Sequence, residues 1–588
     1  MKQRSDYCGN LRENSIGKEI TLYGWVNSYR NHGSLIFVDI RDREGILQLV
    51  FDPNNRKSFQ IATQLRNEYV ISVTGVIQRR PKGTCNNGIG TGTIELLVDH
   101  IYILNTSENL PFPIATQKNC SEELRLKYRY LDLRRPQLQH NLITRSKISK
   151  IIRDFLHTEQ FIEIETPSLT KSTPEGARDF LVPSRIYHGK FFALPQSPQI
   201  FKQILMISGF DKYYQIVKCF RDEDLRSDRQ IEFTQIDIEM SYINESIIMN
   251  LIERMISKIF KLILNIDLEI PFKCMTYEDA ILKYGSENPD IRFNMEIKNL
   301  SHEFKDSRIF STIISQGGTV QGLCIPNGAI LSKSTLKNII EFVKMLGAKG
   351  LSWVKSSSKG IESNLEKIFS KNELSNILLT CNVKQGDLLV FIADGNKNTV
   401  INCLGQLRLK IGNKLGMGND KKFSFLWVVD FPLITFNTDQ NKFESFHHPF
   451  TAPKNDLDLF SLKNQRNIGF IKSKSYDIIL NGIEIGGGSI RINKNDVQRK
   501  IFDLLRISYK DYKNKFGFLL DALSYGAPPH GGIALGFDRL CALILGTKSI
   551  REVIAFPKTQ NAIDLMVNAP NDVNDEQLLT LGINRIMK

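Results

Sequence analysis

The chain has 588 residues, 41% hydrophobic and 24% charged, which is typical of a globular protein long enough for three or more domains. Its net charge of +14 favours a polyanionic partner such as a nucleic acid, because nucleic-acid binding depends largely on neutralising phosphates. No run of about 18 apolar residues occurs, so the sequence predicts no membrane-spanning helix.

The nine cysteines are scattered along the chain and form no Cys-x-x-Cys pair. This spacing argues against a zinc ribbon or a redox pair and favours free thiols in a reducing compartment. The first residues, MKQRSDYCGN, contain no apolar segment typical of a secretory signal. We therefore expect a cytoplasmic protein without a membrane anchor.

Residues 1–107 are predicted to be all-β. Short apolar runs alternate with turn signals such as NHG, DREG and KGTCNNGIGTG. Five short strands in about 100 residues are typical of a small barrel of the oligonucleotide-binding (OB) kind. The predicted strands lie at 19–30, 34–41, 45–51, 69–80 and 93–104.

Alternation within two of these strands separates a core face from an outer face. Phe37 and Gln48 fall on the outer face. An outward aromatic ring beside an outward amide suits a protein that stacks on a single-stranded base and reads its edge. The same pattern also fits an ordinary half-exposed sheet. The predicted core residues of the two strands are Ile36, Val38, Ile40, Leu47, Leu49 and Phe51.

Beyond the barrel, a proline-containing, non-periodic stretch is followed by helical spacing in RSKISKIIRDFLHTEQF and a strand in FIEIETP. Strands and helices then alternate, stop near 289, and resume at FSFLWVVDFPL. This interruption indicates an inserted domain. The predicted divisions are 1–107, barrel; 108–140, hinge or linker; 141–288, first part of a central domain; 289–420, inserted domain; 421–557, second part of the central domain; and 558–588, C-terminal extension.

The segment FRDEDLRSDRQIEFTQIDIEM, residues 220–240, holds three arginines and four acids within ten residues. Strand alternation after this block puts Phe233, Gln235 and Asp237 on one face, which suits a ligand wall better than a core. Arg221 ends the preceding strand, where its guanidinium could bind a phosphate bidentately. A solvated hairpin tip is the alternative interpretation.

Two glycine-rich segments follow, although the chain has neither a Walker nor a Rossmann glycine motif. In NGIEIGGGSIRI, Glu484 precedes three glycines, and with Asp477 it could share divalent cations. Arg491 follows the glycines near the end of this segment and could pair with a carboxylate. Arg539, in YGAPPHGGIALGFDRL, is a second candidate cation for a triphosphate. A glycine-rich bulge without function is the alternative interpretation of the first segment.

Three smaller segments complete the candidate site. TPEGARDFLVP, residues 173–183, is typical of a mobile lid. Gln199 and Lys202 would share one face of a helix, because they are three residues apart. His447 lies in FHHPF, where a histidine pair is more often structural than functional.

Together these segments resemble class II aminoacyl-tRNA synthetases, and more narrowly the bacterial-type aspartyl-tRNA synthetases of subclass IIb. FIEIETP resembles class motif 1, FRDEDLRSDRQIEFTQID motif 2 and GIALGFDR motif 3. The resemblance implies a multidomain α+β fold: an N-terminal OB-fold barrel for the anticodon, an antiparallel catalytic sheet flanked by helices, and an inserted α+β domain. It also implies a homodimer formed through motif 1.

The resemblance further implies roles for single residues. Arg221 and Arg539 would be catalytic, and Asp477 and Glu484 would hold Mg²⁺. Phe37, Gln48 and His32 would contact the anticodon. ATP would be bound by Arg221, Asp222, Glu223, Gln230, Phe233, Glu484, Gly536, Phe537, Asp538 and Arg539.

Aspartate would be bound by a second set, Glu175, Gln199, Lys202, Arg221, Gln235, Asp237, His447 and Arg491. The implied reaction is activation of L-aspartate with ATP, followed by transfer of the aspartyl group to the 3′ end of tRNA-Asp. The histidine at position 32 leaves open a non-discriminating enzyme that also charges tRNA-Asn. Two further alternatives are an asparagine synthetase on the same catalytic fold, which needs no barrel, and an RNA-binding paralogue without activation chemistry. The paralogue would have lost Arg221, Glu484, Arg491 or Arg539, and all four are present.

Overall fold

The structure is a computed structural model that describes residues 2–114, 120–172, 177–226, 228–293, 295–307, 309–358, 360–418, 423–437, 441–461, 469 and 471–584. Within these ranges, no helix has both the length and the apolar character needed to cross a membrane. The chain forms two compact units. One comprises Met1–Arg145 with Arg551–Asn571, and the other Ser146–Ile550 with Asp572–Lys588.

The first unit contains a closed barrel in the strand order β1-β2-β3-β5-β4, as the sequence predicts. The six residues assigned to the core of β2 and β3 are all fully buried in its interior. The alternation of apolar and polar residues stabilises these strands, because the inward apolar side chains together fill the barrel interior. Its elements are β1 Glu19–Asn31, β2 Ile36–Arg41, β3 Ile46–Phe51, α1 Arg56–Ala62, β4 Val70–Arg79 and β5 Ile94–Asn105.

Residues 122–140, which the sequence suggests as irregular chain, are mostly helical. The helices are α2 Glu122–Lys127, α3 Arg129–Asp132 and α4 Pro136–Thr158. Proline at the first position of α4 suits a helix start, because that position needs no backbone N–H donor. The fully buried Asp132 accepts ion pairs from Arg125 and Arg129, and this charge pairing gives the short helices an order that periodicity alone does not reveal.

The second unit begins with the strands and helices that carry motifs 1 and 2. Asn244 caps α6 by accepting a hydrogen bond from the Ile247 N–H at 3.1 Å, which satisfies one unpaired donor of the first turn. The elements are β6 Ile162–Glu163, β7 Leu181–Pro183, β8 Phe191–Ala193, α5 Gln199–Ile207, β9 Lys212–Phe220, β10 Glu232–Ser241, α6 Glu245–Leu264, β11 Lys273–Thr276 and α7 Tyr277–Tyr284.

The segment that interrupts the pattern forms its own antiparallel sheet, in the order β12-β13-β16-β14-β15. Helices α9 and α11 cover one face of this sheet and α10 covers the other, each through a separate apolar cluster. We call β12 to α11 the insert. Its elements are β12 Ile297–Asn299, α8 Ser311–Ser315, β13 Thr319–Ile325, α9 Lys333–Met345, β14 Ser352–Ser357, β15 Gly360–Ser363, α10 Lys371–Thr380, β16 Leu388–Asp394 and α11 Lys397–Lys414.

After the insert the chain returns to the main sheet of the unit. Its remaining elements are β17 Phe425–Val429, β18 Ile434–Asn437, β19 Lys442–Ser445, α12 Asp456–Phe460, β20 Ser475–Leu480, β21 Ile483–Ile490, α13 Asn495–Leu504, α14 Tyr509–Leu523, β22 His530–Gly536, α15 Phe537–Ile544 and α16 Asp575–Thr580.

The main sheet has eight strands in the order β11-β17-β20-β21-β22-β10-β9-β6. All neighbours are antiparallel except the two pairs at the edges, β11 with β17 and β9 with β6. The expected antiparallel catalytic sheet is therefore present. Its centre joins β21, β22 and β10, which lie far apart in sequence and carry the two glycine-rich segments and motif 2.

A buried arginine ties the insert to the chain that enters it. Arg408, in α11, is 1% exposed and donates to the carbonyl oxygens of Met295 at 2.7 Å, Asp290 at 2.7 Å and Phe293 at 2.8 Å. Its guanidinium also lies 4.3 Å from the centre of the Phe293 ring. These carbonyl groups lose their donor if the guanidinium is removed.

We predict that Arg408→Met lowers the free energy of unfolding of this unit by about 3 kcal/mol or more, because three buried carbonyl groups lose their donor at a cost of about 1–3 kcal/mol each. Thermal unfolding, followed by circular dichroism, measures the change. Gln406→Met, on the exposed side of the same helix, is the matched control and should leave the transition in place. Equal transitions for both variants would contradict this structural role.

Candidate active site

Two adjoining cavities open at the centre of the main sheet. The smaller has a volume of about 230 Å³ and the larger about 480 Å³. Both are lined by residues from motif 2 and from the two glycine-rich segments, so the antiparallel order of the strands assembles the predicted site. The residues that line both cavities are Arg221, Glu223, Gln235, Glu484 and Ala534.

The smaller cavity combines an aromatic wall with two guanidinium groups. Phe233, on β10, faces the cavity, and the Arg221 guanidinium lies 5.1 Å from the centre of its ring. Arg539 lies in the first turn of α15, where it donates to the Glu484 carbonyl and lies 3.5 Å from the Asp228 carboxylate. Such a cavity can stack a planar ring and neutralise a polyphosphate.

Three further residues predicted for ATP also line the smaller cavity. Gln230 is 2% exposed, and Gly536, which ends β22, lines the same cavity. The Asp538 carboxylate accepts a hydrogen bond from the Thr234 N–H at 2.7 Å. Asp538 therefore ties α15 to β10 and orients the neighbouring arginine.

Two residues predicted to bind ATP, Asp222 and Phe537, do not line either cavity. Asp222 forms a backbone bridge with Arg178, its carboxylate lies 3.9 Å from that guanidinium, and it lines neither cavity. Phe537 is 3% exposed and also lines neither cavity, because its side chain is buried at the start of α15. Glu175, predicted for aspartate, lies outside the described residues.

The larger cavity contains a buried network of two cations and two carboxylates. The Lys202 ammonium lies 3.0 Å from Asp237 and 3.4 Å from Glu239. Arg491 binds Glu239 through two donors on one edge of its guanidinium, Nε to Oε1 at 2.9 Å and Nη2 to Oε2 at 3.1 Å. All four side chains are nearly inaccessible, so each charge depends on its partners.

Glu239 follows Gln235 and Asp237 at alternate positions of β10, and no role was predicted for it. Burial alone would raise its pKa, yet the cations of Arg491 and Lys202 outweigh burial and lower the pKa of Glu239. For Asp237 burial dominates and raises the pKa, although Lys202 opposes it. Glu239 is therefore the anionic centre that holds both cations in position.

Three polar atoms in the larger cavity are buried and have no hydrogen-bond partner within the described part of the chain. They are Oδ2 of Asp237, Nε2 of Gln199 and Nδ1 of His447. Gln199 and Lys202 face the cavity from one side of α5, as their spacing predicts. Buried polar atoms without partners are rare in folded proteins, and here they indicate space for a polar ligand.

The second histidine of the FHHPF segment, His448, has no role predicted from the sequence. His448 Nε2 lies 2.6 Å from Nη1 of Arg491, and burial together with Arg491 lowers the pKa of His448 well below its ordinary value. A neutral His448 can accept a hydrogen bond from the guanidinium. The adjacent His447 differs, because Asp477 lies 3.1 Å away and raises its pKa against the effect of burial.

Asp477 and Glu484 approach each other beside Gly487. A Cβ on Gly487 would lie 2.5 Å from Oδ1 of Asp477 and 3.7 Å from Oε1 of Glu484, so glycine leaves room for both carboxylates. Burial and the charge of Asp477 raise the pKa of Glu484. They also raise the pKa of Glu287, a cavity residue that the sequence did not indicate.

This crowding of carboxylates fits a divalent cation, because a cation would relieve the repulsion that raises the pKa of Glu484. Across the described residues, no cluster of three or more histidine, cysteine, aspartate or glutamate side chains is arranged to hold a metal. Two carboxylates completed by water and phosphate oxygens match the preference of magnesium. The donor set of Asp477 and Glu484 therefore suits Mg²⁺ that arrives with a nucleotide.

The outer face of the barrel carries a separate group of polar and aromatic residues. His32 and Phe37 make an edge-to-face contact at 5.7 Å. Gln48 lies on the predicted side of β3 but is only 9% exposed. Its amide N–H donates to Glu95 at 2.8 Å and its amide oxygen accepts from Arg30 at 3.2 Å. Both ends of the Gln48 amide are therefore hydrogen-bonded to residues for which no role was predicted.

Comparison with known proteins agrees with this architecture. The family model of class II tRNA synthetases (D, K and N) matches residues 121–560, and that of the OB-fold nucleic acid binding domain matches residues 20–104. Asparaginyl-tRNA synthetase of Pyrococcus horikoshii, solved with asparaginyl-adenylate, has a TM-score of 0.58 and 19% identity. That match covers 95% of this chain and 99% of the other, and it shows a shared fold.

Curated relatives are much closer in sequence. A protein of Endomicrobium trichonymphae, named aspartate–tRNA(Asp/Asn) ligase, is 58% identical over 99% of this chain and 100% of its own length. A protein of Hydrogenobaculum sp. with the same name is 51% identical over 99% of each chain. With the family match and these full-length relatives, the chain belongs to the class II tRNA synthetases of the D, K and N group.

Proposed function

We propose that this chain is an aspartate–tRNA ligase, which activates L-aspartate with ATP and transfers the aspartyl group to the 3′ end of tRNA. The observation that carries the proposal is the pair of buried cations, Lys202 and Arg491, in the larger cavity. The ammonium has three donors and two carboxylate contacts, and the guanidinium has five donors and four contacts. Among the residues that the structure describes, this leaves one donor of each group, which we assign to the side-chain carboxylate of the substrate.

The same pair explains a preference for aspartate over asparagine. The side-chain amide of asparagine would place N–H donors against the Lys202 and Arg491 cations. The charge-assisted hydrogen bonds that these cations make to a carboxylate would then be lost, and each is worth about 1.5–3 kcal/mol. The unpartnered Oδ2 of Asp237 is an acceptor for the substrate ammonium. Gln199, Gln235 and His447 complete the proposed aspartate site.

ATP is proposed to occupy the smaller cavity, with its adenine on Phe233 and its phosphates near Arg221 and Arg539. Arg221 lines both cavities, so its guanidinium can neutralise the α-phosphate where the aspartate carboxylate attacks in line. The attack forms aspartyl-adenylate and releases pyrophosphate. No protein nucleophile is needed, since positioning and charge neutralisation supply the rate enhancement.

Asp477 and Glu484 are the proposed ligands of Mg²⁺. When bound, the cation supplies positive charge to the phosphate oxygens. His447 holds Asp477 in place through their 3.1 Å contact, and the Arg539 contact to the Glu484 carbonyl positions β21.

On the barrel, Phe37 is proposed to stack on an anticodon base, with Gln48 and His32 beside it. The names of the curated relatives favour a broad tRNA scope, so we propose that the chain charges both tRNA-Asp and tRNA-Asn with aspartate. A homodimer through motif 1 is also proposed. Strand β6 carries this motif at the open edge of the main sheet, where Ile162 remains 47% exposed.

The first prediction concerns the reaction itself. ATP–pyrophosphate exchange should depend on aspartate, whereas asparagine and lysine should support none. Aspartate should then be attached to both purified tRNA-Asp and purified tRNA-Asn. Absence of aspartate-dependent exchange would contradict the proposed reaction, and charging of tRNA-Asp alone would contradict the proposed scope.

The second prediction tests Arg491. Arg491→Lys keeps a charge beside Glu239 but removes the bidentate geometry and, with it, the one guanidinium donor proposed for the aspartate side chain. KM for aspartate should rise about 10–100-fold, while KM for ATP stays unchanged. Arg499→Lys, on the exposed side of α13, is the matched control. An unaltered KM for aspartate would remove Arg491 from the substrate site.

The third prediction follows from the raised pKa of Glu484. As pH falls through this pKa, Glu484 gains a proton and loses its affinity for Mg²⁺, so kcat/KM for ATP should decrease on the acidic side. More Mg²⁺ should shift the decrease to lower pH, because cation and proton compete for the carboxylate.

Glu484→Gln should lower exchange activity and abolish the dependence of the acidic limb on Mg²⁺. Glu269→Gln, an exposed position, is the control and should behave like the unsubstituted chain. An acidic limb that is insensitive to the Mg²⁺ concentration in the unsubstituted chain would rule out Glu484 as a metal ligand.

A further inference from the structure

The two helices on one face of the insert carry a large excess of positive charge. Helix α9 has three lysines and one glutamate, and α11 has three lysines, one arginine and no acid. The whole chain contains 77 basic and 63 acidic residues, so its general composition does not account for this imbalance. The charge is concentrated on two neighbouring elements.

These helices pack side by side and place their lysines on one continuous surface. Lys414 of α11 donates to the Thr335 hydroxyl of α9 at 3.4 Å, and the Lys410 ammonium lies 3.7 Å from the centre of the Phe342 ring. The apolar sides of both helices are buried against the insert sheet. We call the exposed lysines of this surface the lysine face: Lys333, Lys337, Lys344, Lys410 and Lys414.

Acidic side chains of the insert do not neutralise this surface. Glu341 pairs with Lys344 at 3.1 Å. In the part of the chain that the structure describes, no carboxylate lies within 4 Å of the other four lysine ammonium groups. Their mutual repulsion is an unfavourable term that a bound polyanion would remove.

The opposite face of the insert is different. Helix α10 covers it with one lysine, Lys371, and one acid, Glu373, which caps the helix through Ser370. Its apolar residues belong to a separate core cluster from those of α9 and α11. The insert is therefore electrostatically two-sided, as expected for a module that presents one surface to a polyanion.

We propose that the lysine face binds the phosphate backbone of tRNA, as a contact additional to the anticodon face of the barrel. This inference rests on the proposed function, which makes tRNA the polyanion that the chain must hold. Lysines are compact point charges on flexible stems, so they suit backbone contacts that position an RNA without reading its sequence. The cationic surface would thus give the insert a role in tRNA affinity.

The test compares two double variants of the full-length chain. Lys410→Gln/Lys414→Gln removes two charges from the lysine face, and Lys367→Gln/Lys371→Gln removes two exposed charges from the α10 side. Affinity for tRNA is measured at several salt concentrations. The first variant should bind tRNA more weakly, and the slope of log Kd against log salt should fall by about 0.7–0.9 for each phosphate that is no longer neutralised.

The control variant should keep the affinity and the slope of the unsubstituted chain. Aspartate-dependent ATP–pyrophosphate exchange should stay unchanged in both variants, because neither substitution lies in the main sheet. Unchanged tRNA affinity and slope for Lys410→Gln/Lys414→Gln would overturn the lysine face as an RNA contact. Equal losses in both variants would also overturn it, since they would indicate a non-specific effect of net charge.

Two further measurements separate the remaining possibilities. Binding of polyglutamate distinguishes an acidic protein partner from RNA. The exchange reaction distinguishes failure of the RNA contact from failure of the proposed function. If the lysine-face variant keeps its tRNA affinity but no longer binds polyglutamate, the surface takes an acidic protein and the RNA assignment is wrong. If the unsubstituted chain shows no aspartate-dependent exchange but the tRNA effect persists, the proposed reaction fails while the RNA contact stands.

Discussion

The ionic contact of Glu239 with Arg491 and Lys202 is the interaction on which the site depends. Taking these charges out of water is costly, and only near-ideal geometry repays that cost. Nε and Nη2 of Arg491 both donate to Glu239, while Nη1 contacts His448 and Ser489, so the orientation of the arginine is set before any ligand arrives. A cation held in this way needs little reorganisation to recognise a carboxylate, which is the basis of electrostatic preorganisation.

The main sheet makes this contact possible through close approach of its central strands. Glu239 of β10 lies opposite Gly532 of β22, and a Cβ on Gly532 would be 2.1 Å from the Glu239 carboxylate. Glycine is therefore required at this position by packing. The third central strand, β21, contributes Arg491 just beyond its end and Gly487 beside the two acidic groups. Antiparallel order thus converts three distant segments into one cleft.

Charge is distributed differently in the barrel and the insert. On the barrel, Arg30 is bound by Asp39 through two contacts of 3.0 Å and also reaches Gln48, so polar groups restrain one another around Phe37. On the insert, Lys344 is the one lysine of the lysine face that pairs with a carboxylate among the described residues. Held polar groups suit discrimination between bases, whereas loosely held lysines suit attraction of a backbone, since phosphate contacts position a nucleic acid and base contacts specify it.

The sequence by itself determined the local elements and the chemical types of the site. Period-two alternation gave the strands of the barrel and the face of β10 that carries Phe233, Gln235 and Asp237, because a strand turns successive side chains to opposite sides. Most of the site residues that the family resemblance implied line one of the two cavities. Short helices such as α2 and α3 escaped detection because a buried aspartate, not periodicity, holds them together.

Only the tertiary structure decided which side chains meet. Glu239, His448 and Glu287 were missed because their roles depend on partners between about 40 and 250 residues away, and no local pattern encodes such pairings. Asp222 and Phe537 lie within motifs that match the family, yet backbone direction takes both away from the cavities. Burial sets the final chemistry, because the same carboxylate gains or loses affinity for its proton according to the charges that the fold brings beside it.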